Sequence, residues 1–347
     1  MAPWLWLAIG LVITLIASVL HYVHWVRRLS VPMDYALEEL LRTEDGACIE
    51  LRRLEREGEP VALPPVLLVH GVGIDHRNHD MLPQLSLARH LASTGRDVWL
   101  LTLRSGIHGQ PRGSVRFAKM VEIDLPLAVR EVLERTHATQ LDYVGFSMGG
   151  ILLYAALGKT VANALVRRVV ILGSPARIAP HFPLSLARWV PLALVPPLPL
   201  RLASRMVAFA ADWVETPIHR VVYNARNVER GVAPRALIAI ADVPAALASD
   251  FASWMRGDGA VRYGGEPVAA HLAGTTQPAL FFAGAADRLA PEDAVRVAYD
   301  AWGATAKRFV LLAEREGACA DYGHGDLAIG RGAQHDVFVP VAEFLAG

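Results

Sequence analysis

Two cysteines, Cys48 and Cys319, are all that the 347 residues carry. They are too few for a disulfide framework and fit no metal-ligand pairing, so the chain suits a reducing compartment with both thiols free. Neither sign of charge is in excess. The 34 Lys and Arg balance 34 Asp and Glu without a basic tail or run, which leaves no electrostatic reason to expect a nucleic-acid partner. Internal repeats of solenoid or propeller period are also missing, and so are low-complexity tracts apart from one Pro/Leu-rich stretch. Apolar residues are abundant instead: at 53% hydrophobic, the chain is long enough for one large α/β domain with an insertion.

Charge is absent altogether from Trp4 to Val26. As a helix this run would span about 34 Å, enough to cross a bilayer. Trp4 and Trp6 at one end and Tyr22 and Trp25 at the other stand where interfacial anchors belong, and Arg27 and Arg28 follow at once. A cleaved signal peptide would want positive charge before the apolar core and a small-residue cleavage site after it, and neither is evident. Residues 1–30 are therefore expected to be a membrane anchor with the lipid bilayer as partner. The two arginines place the bulk of the chain on the cytoplasmic side. His21 and His24 fall at the interfacial end of the span, as polar tips.

The chemistry centres on Leu141-Asp-Tyr-Val-Gly-Phe-Ser-Met-Gly-Gly150. A short apolar strand runs into Gly-x-Ser-x-Gly and then into the helical sequence Met148–Leu157. A serine at such a strand-to-helix turn needs small neighbours, here Gly145 and Gly149, and the helix behind it aims free N–H groups at charge developing nearby. Upstream, a short helix is expected over Met33–Thr43. Ala47–Leu54 alternates apolar and polar residues ahead of a Pro-flanked turn, as an antiparallel edge hairpin would. Val66–Val69 reads as a buried strand ending in His70-Gly-Val-Gly73, and a helix through Gln84–Ala92 and a strand over Asp97–Leu103 complete a parallel crossover. The backbone amides of Val72 and Met148 are the candidate oxyanion donors, since a tetrahedral intermediate needs two hydrogen bonds on one oxygen. His70, His76 and His79 with Asp75 and Asp80 match no metal-site spacing, so no metal is expected.

The helix Phe117–His137 leads into the serine strand, and Val169–Gly173 is another strand. The α/β rhythm then stops. Residues 175–276 are Pro- and Ala-rich, and the apolar segment Phe182–Leu200 is broken by Pro191, Pro196, Pro197 and Pro199, so it cannot be one long helix. Its hydrophobicity and its position between sheet strands suggest a helical cap over the serine, lined for a lipophilic substrate and leaning on the bilayer surface; a well-packed subdomain without lipid preference is the alternative, and the segment is too short and too broken for a second transmembrane span. Ala279–Gly284 resumes the sheet and delivers Asp287 just past a strand end, with Asp293 and Asp326 as rival acids. A last strand, Arg308–Leu312, precedes a loop carrying His324 between glycines. His335, opening the C-terminal helix Asp336–Leu345, is the rival histidine.

These residues resemble the α/β-hydrolase superfamily, in its acid-lipase-like and polyhydroxyalkanoate-synthase-like branch, over roughly residues 45–345. The resemblance is carried by His70-Gly-Val-Gly, Ser86-Leu-Ala-Arg-His-Leu, Asp97-Val-Trp-Leu, Gly-Phe-Ser147-Met-Gly, Gly284-Ala-Ala-Asp287-Arg and Tyr-Gly-His324-Gly-Asp, with Phe251-Ala-Ser-Trp-Met255 similar to that branch's cap. It implies a mostly parallel sheet flanked by helices, in two halves (31–174 and 277–347) around the inserted cap. The order Ser147, Asp287, His324 is the chain order of that fold's triad. Serine at the elbow points to hydrolysis, since the synthases carry cysteine there and the dehalogenases and epoxide hydrolases aspartate. The expected activity is cleavage of small lipophilic carboxylic esters without a cofactor. Acyl transfer through the same residues, or a non-catalytic membrane-anchored interaction protein, are the alternatives, and oligomeric state is left open.

Overall fold

The computed structural model describes residues 3–178 and 197–347. Its first element, α1 (Pro3–Leu29), is the expected apolar helix, and none of its most apolar stretch is buried against the rest of the protein. The core is an eight-stranded sheet. Its strands are β1 (Leu37–Arg42), β2 (Cys48–Arg53), β3 (Val66–Val69), β4 (Val98–Thr102), β5 (Leu141–Phe146), β6 (Val166–Leu172), β7 (Ala279–Gly284) and β8 (Lys307–Leu312). Their spatial order is β1-β2-β4-β3-β5-β6-β7-β8. β1 pairs β2, and β2 pairs β4, antiparallel; every later pairing is parallel.

The unbroken apolar runs became β3, β4, β5 and β7, which are buried at every position. The reason is that both faces of the sheet are covered. Leu67 and Val69 of β3 pack into a core on one face with α3 (Leu125–Thr136) and α4 (Met148–Ala156), while Val66 and Leu68 pack on the other with α2 (Leu87–Ser93) and the C-terminal helix α9 (Val339–Ala346). Among the described residues between β6 and β7 the longer helices are α5 (Leu200–Val207), α6 (Val232–Ile238) and α7 (Ala245–Arg256), with a shorter helix at Pro217–Val222 and a two-stranded ribbon of Arg262–Tyr263 and Glu266–Pro267; α8 (Glu292–Ala301) follows β7. Most of the Pro-broken stretch Phe182–Leu200 lies outside the described residues. Its last residues, Pro197–Leu200, are exposed, with Leu198 bridged to Val243.

One expectation fails. Residues 33–43 form no helix: Leu37–Arg42 is the edge strand β1, registered from Leu37 opposite Arg53 to Arg42 opposite Cys48. Leu, Glu and Arg favour helix intrinsically, but Leu37 and Leu41 lie on the same side of a strand and both pack on the core there, so tertiary pairing overrides propensity. The turn is closed by Thr43, whose hydroxyl donates to Asp45 at 2.6 Å. The helix expected over Phe117–His137 is present but contains a π turn at Met120–Asp124, just before Pro126, which has no N–H to continue the regular ladder.

The N-terminal end of β5 is fixed by charge. Asp142 is fully buried and accepts from Arg96 and from Arg167, and both guanidiniums also donate to the Leu345 carbonyl of α9. Removing one side of a buried pair strands the other, at about 3–5 kcal/mol. Asp142→Ala should therefore lower the melting temperature of detergent-solubilised protein by several degrees, read by circular dichroism. An unchanged melt would remove this network from the account of the sheet.

Candidate active site

The serine sits in a backbone conformation that its sequence context makes possible. Ser147 has φ 51° and ψ −115°, one of two non-glycine residues with positive φ among those described. Its amide donates to Leu172 of β6 at 2.8 Å, and its carbonyl accepts from Gly150 and Ile151. Such a turn brings α4 hard against β5. A Cβ on Gly145 would lie 2.6 Å from the Gly150 nitrogen, and one on Gly149 would collide with the Val69 carbonyl. The Tyr143 hydroxyl, donating to the Gly149 carbonyl at 2.7 Å, locks the two elements together.

Asp287 and His324 are joined directly. His324 Nδ1 lies 2.7 Å from Asp287 Oδ2, and since a carboxylate only accepts, Nδ1 carries the proton and Nε2 of the neutral ring is the acceptor. Asp287 Oδ1 meanwhile accepts from the Leu289 and Ala290 amides at 2.8 and 2.7 Å, so both oxygens are fixed just past the end of β7. Ser147 and His324 line the same cavity of about 550 Å³, whose other walls are mostly apolar and include Val72, Leu200, Leu237, Phe251 and Ile329, with Asn78 and Arg288 among the few polar side chains. The Phe146 ring meets the His324 ring edge to face at 5.1 Å.

The rivals are placed elsewhere. Asp293 is exposed in the first turn of α8, and the His335 side chain is 84% exposed against Asp336. Asp326 is buried but fully engaged: Oδ1 accepts the Asn224 amide at 3.0 Å, while Oδ2 accepts the Gly323 amide at 2.9 Å and the Asn227 side chain at 2.8 Å. It pins the loop that presents His324. Asn224 and Asn227 were missed in the sequence, and no signal there marks them, because their partner lies about 100 residues downstream.

Of the oxyanion candidates, Val72 lines the cavity beside Ser147, and Met148 is the first residue of α4, where an amide has no partner within its own helix. The loop holding Val72 is fixed by His70, whose Nδ1 donates to the Gly71 carbonyl at 2.7 Å while Nε2 accepts the Leu103 amide at 3.0 Å. Asn78 accepts the Gly71 amide at 3.1 Å. His79 hydrogen-bonds the Val69 carbonyl at 3.1 Å, Asp75 pairs with Arg77, and Asp80 pairs with Arg89. The histidines and aspartates clustered in this stretch thus hold the loop in place.

A family profile described as alpha/beta hydrolase fold matches residues 64–327. The chain belongs to that family. It is 33% identical to human gastric triacylglycerol lipase over 122 residues, 31% of this chain and 31% of that lipase. It therefore spans about a third of the length of the lipases it matches. A thermophilic esterase from Thermogutta terrifontis superposes with a TM-score of 0.58 at 19% identity, covering 90% of this chain and 98% of the esterase. A bacterial membrane phospholipase A superposes with a TM-score of 0.54 at 19% identity, covering 99% of both chains.

Two outcomes follow from this geometry. A Cβ on Gly71 would stand 3.1 Å from the Ser147 Cβ and 3.3 Å from the Phe146 ring, so Gly71→Ala should reduce ester turnover while leaving the melting temperature nearly unchanged. Turnover equal to wild type would show that the serine tolerates the intrusion. Burial pushes His79 down to about 4 and His76 down to about 3, below the ordinary 6.5. The unfolded chain therefore binds protons that the folded one refuses, and the stability held by the neutral rings above pH 6.5 is lost as pH falls toward 4. Melts should drop across that window, and His79→Gln should flatten the drop. An identical profile in the variant would exclude His79 as a source of acid lability.

Proposed function

We propose that this protein is a membrane-anchored serine hydrolase that cleaves carboxylic esters of lipophilic substrates. The observation that carries the reading is the shared apolar cavity. Ser147 and His324 both face it, and His324 is oriented by Asp287 so that its unprotonated Nε2 is the base. On this reading, His324 removes the serine proton as Oγ adds to the substrate carbonyl, and the imidazolium is balanced by Asp287. The Val72 and Met148 amides receive the oxyanion. His324 then returns the proton to the departing alkoxide, and water, deprotonated by the same histidine, releases the acid. No step calls on a cofactor.

The apolar lining and the partial similarity to lipases support lipophilic acyl groups. Residues 175–276 serve as the cap, supplying Leu198, Leu200, Leu237 and Phe251 to the cavity. Residues 1–30 serve as the anchor: α1 is long, apolar and unburied, with Arg27 and Arg28 in its last turn favouring a cytoplasmic catalytic domain.

The test is hydrolysis of short- and long-chain p-nitrophenyl esters by the detergent-solubilised chain. Ser147→Ala should lower kcat/KM by a factor on the order of 10⁴ or more, and Asp287→Asn by a factor on the order of 10⁴ with the fold intact. An undiminished rate in Ser147→Ala would overturn the mechanism. Product analysis with an added alcohol separates hydrolysis from acyl transfer, which uses the same residues.

A further inference from the structure

The anchor helix and the serine cavity share a wall. Leu237 of α6 lines the cavity and also packs, with Trp25 and Val26 of α1, on the small cluster of Leu29, Ala208 and Ile238. α5 runs beside α1. His21 Nε2 lies 3.0 Å from the Met206 carbonyl, Arg205 donates to the Tyr22 hydroxyl at 3.0 Å, and Trp25 stacks on Phe209 with ring centroids 5.5 Å apart. Phe209 also meets the His21 ring edge to face at 5.0 Å, so the end of α5 and the turn after it pack on the last turns of α1.

The residues around the start of α5 are largely apolar and open, with Arg201 between the leucines. Leu198, Leu200 and Leu202 are 38%, 38% and 60% exposed, and Trp213 and Val214 beyond α5 are exposed as well. Leu198 and Leu200 also line the cavity, so the cavity reaches the surface among these side chains. An apolar rim around an apolar cavity is costly against water. Here the rim belongs to the segment that packs on the one helix long and apolar enough to span a bilayer among the described residues, where Arg205, Met206 and Phe209 meet Tyr22, His21 and Trp25 at its interfacial end.

We propose that the mouth of the serine cavity docks on the bilayer surface through Leu198–Leu202 and Trp213–Val214, so that the protein takes its esters sideways from the lipid phase. The substrate class is then acyl esters resident in the membrane, whose chains pass from bilayer to cavity without crossing water. α1 sets the depth of the mouth, because its packing on α5 and α6 fixes the distance between span and rim. This inference rests on the anchored-hydrolase reading above.

Two measurements test it on the full chain reconstituted in phosphatidylethanolamine and phosphatidylglycerol vesicles. The first needs no activity: a phospholipid with a diazirine in its acyl chain is photolysed, and adducts are mapped by mass spectrometry. Adducts on α1 and on residues 198–214 are expected. Adducts on α1 alone would overturn the docking while leaving the anchor intact, and their absence from α1 as well would overturn both. The second compares rates on a fluorogenic oleoyl ester dissolved in the vesicles and on water-soluble p-nitrophenyl acetate. Leu202→Glu with Ala203→Glu, both exposed and outside the cavity lining, should cut the vesicle-ester rate at least tenfold and leave the acetate rate unchanged. An unchanged vesicle-ester rate in that variant would overturn the proposal. No acetate hydrolysis even by wild type would count against the hydrolase reading, with the adduct map still deciding the docking.

Discussion

The structure depends on a steric constraint at one residue. Ser147 adopts a positive φ because β5 must end and α4 begin within a single step, and the space for that step exists only where Gly145 and Gly149 lack side chains. Everything nearby answers to the same closeness. β3 runs beside β5 in parallel register, Val66 to Val69 opposite Asp142 to Gly145, so the loop leaving β3 arrives directly over the serine. β6 on the other side supplies the carbonyl that holds the serine amide. With the turn fixed by its neighbours, Oγ is presented to the cavity at little cost in side-chain freedom, which is the form of preorganisation that acyl chemistry requires.

Much of this was legible in the sequence, for identifiable reasons. Central strands buried on both faces need unbroken apolar runs, and those at Val66–Val69 and Ala279–Gly284 stand out against polar flanks. Ser147 is singled out by its Gly-x-Ser-x-Gly turn, and Asp287 and His324 by lying in segments that follow two later strands; the structure brings the aspartate and the histidine to 2.7 Å of each other beside the cavity that Ser147 lines. What escaped was whatever depends on distant partners. Leu37–Arg42 has the composition of a helix and becomes a strand only because β2 is there to pair with it. Asp326 read as a rival acid, and only the spatial approach of Asn224 and Asn227 shows it committed to another task. The π turn before Pro126 was equally invisible, since a broad apolar stripe survives one extra residue in the helix.

Polar residues around the cavity are consumed in architecture. His70 uses both nitrogens to join the loop after β3 to the end of β4, and Arg104, fully buried, binds Asp124 and Asp45 at 2.6 and 2.7 Å to hold the next loop. These groups sit at the carboxyl ends of the strands, where loops converge and backbone polar groups lack ladder partners. The result is a cavity whose walls are mostly apolar, with Asn78 and Arg288 among the few polar side chains, although the loops that form them are rich in charge.

The pinning of the His324 loop by Asn224 and Asn227 bears on how such a chain can change over time. These asparagines belong to the helical stretch between β6 and β7, whereas the histidine belongs to the loop after β8, and Asp326 ties one to the other. The helical stretch is therefore not a detachable accessory. Exchanging it wholesale for that of another hydrolase would release the histidine loop along with the lining of the cavity, so new substrate ranges are reached more readily by altering Leu198, Leu237 or Phe251 in place than by swapping the module that carries them.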